Sequence, residues 1–272
     1  MKIITVSALV VGTGAAGYNA ACRLKQGGEE VAIVTEAVMD GTSRNTGSDK
    51  QTYYKLGLGS DNPDSVKKMA ENLFAGGSVD GDNALCEAAL SARCFLNLCE
   101  LGVPFPCDPY GRYVGYKTDH DPYARATSAG PLTSKFMTEA LEKEAKRLEI
   151  PIYEYYAVEV LQDETGVCGL LCWDEKKREF VAFRCADLVL ATGGPAMVRA
   201  AYSSGKPAIG VGAGNGPAYI HSSADVAQAL RCIARSKTFD YGTVCASEQS
   251  IVVEKSLEEA VRREGARQGF YF

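Results

Sequence analysis

The sequence predicts an α/β fold: a parallel sheet, an antiparallel β-meander, and then a short βαβα piece. Three observations carry this reading. An apolar, β-branched run from Ile3 to Val11 passes through a glycine-rich turn into an Ala-rich segment, and a second apolar run follows at Val31 to Thr35. Four apolar, β-rich runs lie between Ile152 and Thr192, set apart by the polar words DETG and DEKKRE. Beyond them, short apolar runs alternate with helix-length amphipathic segments. Strands that alternate with helices build parallel sheets, and strands joined by tight polar turns build meanders.

Taken in order, Ile3 to Val11 lacks polar alternation, as expected of a strand buried on both faces. Ala15 to Gln26 is a helix stopped by Gly27-Gly28, and Val31 to Thr35 closes a βαβ unit. Asp64 to Ala75 carries Val66, Met69, Ala70, Leu73 and Phe74 at helical spacing, with Asp64 near the cap. Asn83 to Leu101 repeats the stripe through Leu85, Ala88, Ala92, Phe95, Leu96 and Cys99, and Pro131 to Leu148 is a third amphipathic helix. Such stripes are core faces. The first three runs after Ile152 read as the meander. The fourth, Ala186 to Thr192, reads as a strand returning to the parallel sheet. Lys206 to Gly212 is a further strand, Ser223 to Lys237 a helix, Ser250 to Glu254 a strand and Ser256 to Gly269 a terminal helix.

Bulk properties exclude several classes. The 272 residues are 46% hydrophobic and 23% charged with a net charge of −5, so there is no basic footprint for nucleic acid or an anionic membrane. The N-terminal apolar run is broken by glycines and too short to span a bilayer. The ten cysteines show no metal-ligand spacing. They read as reduced, mostly buried thiols of a cytoplasmic protein, and no metal site is expected.

The chemistry begins at VVGTGAAG. Gly12, Gly14 and Gly17 have GxGxxG spacing between a strand and a helix, the Rossmann arrangement. The first glycine permits the tight turn, the second lets the backbone approach a diphosphate, and the third lets the helix pack on the strand. Ala15 and Ala16 open the helix, whose free N–H groups and positive end face the phosphates. Glu36, about 20 residues on, with Ala37 beside it, stands where an acid can bond a ribose hydroxyl. The polar loop after it, including Ser43, Arg44, Asn45, Thr46 and Gly47, replaces a crossover helix and has the composition to wrap an isoalloxazine ring. The competing reading is a plain surface loop.

With VVGTGAAG, Glu36, SRNTGSDKQTYY, TDHDPYARATSAGP and the meander leading to LVLATGG, residues 1–195 resemble the flavoprotein family of succinate dehydrogenase, fumarate reductase and aspartate oxidase. The resemblance implies FAD as cofactor, with Ala191, Thr192 and Gly193 beside it and Val158 as an adenine-side backbone contact. It also implies a dicarboxylate or enoate substrate and an external electron donor. Covalent-flavin members carry a histidine in the loop that here reads SRNTGSD, so the FAD is expected to be non-covalent. His120 is a candidate for facing flavin or substrate, against the plainer role of a hydrogen-bonded surface residue. Nothing after Gly194 resembles the family's substrate cap.

From about Leu190 onward the sequence resembles CoA-acylating aldehyde dehydrogenase, the aldehyde half of bifunctional aldehyde–alcohol dehydrogenases. SKTFDYGTVCASEQS carries this most specifically, and Cys245 matches that family's nucleophile. The resemblance implies thiolate attack on an aldehyde, hydride transfer to NAD and thioester transfer to CoA. Here Thr192-Gly193 would lie near the nicotinamide instead. The chain thus reads as a chimera joined at LATGGP, with residues 1–194 a FAD-binding domain lacking its cap and residues 195–272 an aldehyde-dehydrogenase-like fragment. Three functions follow from it: a catalytically incomplete FAD-dependent oxidoreductase, an aldehyde dehydrogenase fragment centred on Cys245, or a non-enzymatic remnant that at most binds FAD.

Overall fold

The computed structural model describes residues 1–48, 51–58, 63–75, 79–118, 121, 123–164, 166–191, 216–238 and 247–271. It divides into two compact units, Met1–Thr192 and Gly193–Phe272.

In the first unit the apolar run at the N terminus is two strands, β1 (Lys2–Thr5) and β2 (Ala8–Val11), in different sheets. Ser7 causes the break. Its N–H donates to the Glu30 carbonyl, and its own carbonyl accepts from Ala186 and Asp187, so the chain turns out of one ladder into the other. The expectation of one strand buried on both faces therefore holds for β2 alone; β1 is largely exposed. Helix α1 (Ala15–Gln26) and strand β3 (Val31–Thr35) follow as expected. A one-turn helix, α2 (Thr42–Asn45), then leads to the two-residue strand β4 (Tyr53–Tyr54).

Helix α3 (Val66–Ala75) starts after Asp64, because Ser65 Oγ accepts from the Lys68 N–H at its first turn. Helix α4 (Gly81–Glu100) starts earlier than its apolar stripe, because Asp80 caps it through the N–H groups of Asp82 and Asn83. Phe74, Leu85 and Leu96 of the expected stripes are exposed; Met69, Ala70, Ala84 and Ala88 form the contact. Strand β5 (Ala126–Thr127) pairs antiparallel with β4, and helix α5 (Thr133–Arg147) follows.

The first of the four later runs is also divided. β6 (Ile152–Glu154) joins the parallel sheet, and only β7 (Tyr156–Asp163) enters the meander with β8 (Gly166–Asp174) and β9 (Glu179–Arg184). β10 (Asp187–Leu190) returns to the parallel sheet, whose order is β10-β2-β3-β6; the other sheet is ordered β1-β9-β8-β7. Period-2 alternation then sorts the core. Ala8, Val10, Val31 and Ile33 face the helices with Tyr18, Ala21, Phe95 and Leu141, while Leu9, Val11, Ala32 and Val34 meet Leu170, Val181 and Phe183 of the meander.

The second unit contains β11 (Gly216–Ile220), α6 (Val226–Thr238), β12 (Glu248–Val253) and α7 (Glu258–Arg267), with β11 and β12 parallel. Its buried cluster is Ile220, Leu230 and Val261. β11 is a strand that periodicity does not reveal, since Gly216-Pro217 opens it; the strand expected at 206–212 lies outside the described residues. Of the nine described cysteines only Cys22, Cys172 and Cys185 are buried, which corrects the expectation that most would be. Cys86, on α4, and Cys232, on α6, stand on solvent faces of their helices.

Candidate functional site: the glycine turn and its lid

The turn after β2 is built from backbone. Gly12 has φ +110° and donates its N–H to the Val34 carbonyl at 2.8 Å, a conformation that favours glycine. A Cβ on Gly17 would stand 2.0 Å from the Gly12 carbonyl oxygen and 3.5 Å from Ala191 Cβ. The third glycine is therefore obligatory for packing α1 against the turn. Gly14 is the N-cap of α1, and no side chain caps the helix there. The leading N–H groups, at Ala15 and Ala16, remain for an anion. Ala16 is exposed and Ala15 half-buried, so the helix end is open.

Thr13, buried inside the turn, exchanges a 2.9 Å hydrogen bond with Thr35 at the end of β3, and Thr35 Oγ1 lies 3.4 Å from the Ala37 carbonyl that accepts from it. Two strand ends are tied together beneath the turn. Glu36 follows directly and is exposed, so its carboxylate is available at the carboxyl edge of the sheet, the edge where open α/β sheets bind ligands. The Val38 N–H donates to Glu154, whose other oxygen accepts from Lys176; these bonds, that of Lys176 foremost, hold the Glu154 carboxyl below its usual range.

The loop after Glu36 folds over the glycine turn. Ideal Cβ positions put Gly14 3.2 Å from Ser43 Oγ and Gly41 3.7 Å from the Thr13 carbonyl. Asn45 closes this loop on itself through the carbonyls of Met39 and Gly41. Arg44 is buried and engaged: its guanidinium bonds Glu142 and lies 3.7 Å from Glu139, both on α5. It fixes α2 in place and is not a free charge for a phosphate. Burial first, then Glu142, pushes the neighbouring Tyr18 hydroxyl up to about 12. Thr46 donates its N–H back to Thr42, and a Cβ on Gly47 would meet Leu132 at 3.2 Å. The Ser48 N–H reaches the Pro131 carbonyl, and Gln51 accepts from the Ser134 N–H, so this loop lies against the start of α5.

Ala191 donates its N–H to the Val11 carbonyl at 2.9 Å, which sets it beside the glycine turn. Val158 is the extra residue of a β-bulge between Ala157 and Glu159, opposite Cys172 and Leu171, and is 53% exposed. A bulge releases a residue from the ladder and re-aims it. Thr192, Gly193, His120 and Cys245 lie outside the described residues. No group of His, Cys, Asp or Glu among the described residues is arranged to hold a metal.

Sequence reasoning missed two features. The Thr13–Thr35 bond has no motif of its own. Arg125 stands within TDHDPYARATSAGP, yet its role is visible only in space. It is fully buried, bidentate to Asp64 at 2.9 and 2.7 Å, bonded to Tyr54 and Asn72, and stacked 4.5 Å from the Tyr123 ring centre. It ties the segment before β5 to the one before α3.

The cradle suits the diphosphate of a dinucleotide: an uncapped helix start, a glycine whose Cβ would collide, and an exposed acid at the next strand end. The comparisons agree. The sequence model of the family described as FAD binding domain matches residues 7–265. Bifunctional aldehyde-alcohol dehydrogenase AdhE of Escherichia coli (strain K12) is 60% identical over 85 residues, 31% of this chain and 10% of that protein. Aldehyde-alcohol dehydrogenase of Clostridium acetobutylicum is 55% identical over 86 residues, again 10% of its length. The chain thus spans about a tenth of these relatives. Among solved structures, quinol fumarate reductase FrdA of E. coli superimposes with a TM-score of 0.64 at 20% identity, over 73% of this chain and 34% of that one. Sdh1 of Mycobacterium smegmatis gives 0.62 at 20%, over 71% and 35%. The sequence is a chimera, a flavoprotein fold in company with an aldehyde-dehydrogenase-like segment. By the match over most of its length, the chain belongs to the FAD binding domain family, with FAD as its cofactor.

Proposed function

We propose that this chain is a catalytically incomplete FAD-dependent oxidoreductase of the fumarate reductase and succinate dehydrogenase type, with residues 1–194 as its flavin domain and 195–272 as an aldehyde-dehydrogenase-like addition. The observation that carries the proposal is the glycine turn, in which Gly17 admits no Cβ and α1 opens without a cap. Bound FAD supplies two-electron redox chemistry. The chain's own groups bind and orient it. Gly12, Gly14 and Gly17 let the backbone approach the diphosphate, the Ala15 and Ala16 N–H groups donate to it, and Glu36 with Ala37 borders the ribose. Ser43 to Gly47 would border the ring, held in place by Arg44 through Glu142. By the resemblance, Val158 would border the adenine, and Ala191, Thr192 and Gly193 would contact the FAD. The loop from Ser43 to Ser48 contains no histidine, so the flavin is held without a covalent bond. A dicarboxylate or enoate substrate and an external electron donor follow from the likeness. No described helix is long and apolar enough to cross a membrane.

Purified protein should be yellow and release all of its flavin on acid precipitation. Gly14→Val, which drives a branched side chain at Ser43 and the diphosphate, should abolish retention. Protein that cannot be loaded with FAD, or Gly14→Val with full flavin stoichiometry, refutes the assignment.

The 60% identity to an aldehyde–alcohol dehydrogenase favours one second reading. In it Cys245 is a nucleophile that uses NAD and CoA. CoA- and NAD-dependent aldehyde oxidation abolished by Cys245→Ala would support it, and its absence in the parent chain rejects it.

A further inference from the structure

The second unit holds a constellation of residues that neither the flavin reading nor the Cys245 reading uses. β11 and β12 run parallel, with Ile220 opposite Val253 beyond a register shift at Gly216/Pro217. The next residue on each strand, His221 and Glu254, therefore emerges at the same carboxyl edge. His221 Nε2 lies 3.6 Å from Glu254 Oε1. That oxygen is itself fixed, accepting from the Ser222 N–H at 3.0 Å and the Tyr219 hydroxyl at 3.2 Å. The Tyr219 and His221 rings meet edge to face with centres 6.3 Å apart.

The other ring nitrogen completes the set. Ser223 Oγ is 2.8 Å from His221 Nδ1, and the Ser223 backbone N–H donates to the same nitrogen at 3.2 Å. A backbone N–H can only donate, so Nδ1 presents its lone pair. In the neutral ring the proton then sits on Nε2, toward Glu254, and the Ser223 hydroxyl donates to Nδ1. Nucleophile and base are within hydrogen-bond reach, and a carboxylate stands 3.6 Å beyond the base's other nitrogen, close enough to stabilise its protonated form.

We propose that Ser223, His221 and Glu254 form an acyl-transfer site that takes small activated esters. In the reaction the Ser223 oxygen bonds the acyl carbon, its proton passes to His221 Nδ1, and the alcohol leaves with that proton. Water then attacks the acyl-serine through the same base, giving the carboxylic acid and restoring the hydroxyl. Glu254 stabilises the imidazolium between these steps. Ser223 and His221 are exposed among the described residues, and a reactive leaving group sets what is accepted.

The test treats the full chain with p-nitrophenyl acetate, follows p-nitrophenolate release, and maps acetylated peptides by mass spectrometry. One acetyl group on Ser223 is expected. Ser223→Ala should lose that adduct, His221→Ala should slow its formation about 100-fold, and Glu254→Gln should slow it about tenfold, all with unchanged circular dichroism. Acetyl groups on cysteines or lysines alone, or Ser223 acetylation at the parent rate in His221→Ala, would overturn the proposal.

Discussion

At the residue scale the sharpest contrast is between two buried arginines, both in segments that resemble flavoprotein motifs. Arg44 and Arg125 each satisfy internal carboxylates, and in each case the guanidinium shapes a loop. Arg125 is the more demanding, being wholly buried with Asp64 as its bidentate partner. Breaking such a pair from one side leaves an uncompensated charge, at a cost of about 3–5 kcal/mol. Asp64→Asn should therefore lower stability by about that amount in urea unfolding at neutral pH. Burial raises the Asp64 carboxyl, but the Arg125 hydrogen bonds and the N–H groups of Gly57 and Ser65 outweigh it, so the folded-state value is lowered from the ordinary 3.8. A depressed carboxyl contributes stability that is complete above the unfolded value and is lost as pH falls through the folded one. The parent should thus lose stability below pH 3.8, and Asp64→Asn should lack that part of the loss. Equal acid sensitivity in the two proteins would contradict the assignment.

At the scale of elements, legibility followed locality. α1 and β3 were readable to the residue because capping glycines and uniform apolar runs are local signals. The division of Ile3 to Val11 was not, since it depends on Ser7 meeting Glu30, Ala186 and Asp187. The division at Tyr155 likewise depends on its N–H reaching the Thr35 carbonyl. The same rule governs the site. The three glycines announce themselves by spacing, whereas Arg44 is matched to a glutamate 98 residues away and so read as a free cofactor ligand. This makes α2 an element with borrowed stability. Four residues cannot sustain a helix alone, and Arg44 is its tether to α5. Arg44→Ala should release α2 from above Gly14 and speed FAD dissociation about tenfold, equivalent to about 1.4 kcal/mol. Recovery of flavin fluorescence after dilution reads the rate directly; an unchanged rate would show that α2 holds its place without the tether.

At the scale of the whole molecule, the contact pattern divides the chain at Thr192/Gly193, within the word LATGGP where the resemblance changes. Among the described residues, the two units differ in how much core supports them. The first has two clusters packed on opposite faces of a four-stranded parallel sheet and a third between α3 and α4. The second gathers Ile220, Leu230 and Val261 beneath two strands, with Tyr219 and Val252 left exposed. Small cores yield marginal stability, because the fraction of surface buried falls with size. Calorimetry of the full chain should therefore show two transitions, the lower from the second unit. On the proposed assignment of FAD to the first unit, saturating flavin should raise only the upper transition, by about 2.7 kcal/mol at a hundredfold excess over Kd. Gly14→Val should cancel that shift while leaving the lower transition in place. A single transition that moves as a whole with flavin would mean that the two units unfold as one, and that the chimera has acquired a shared core.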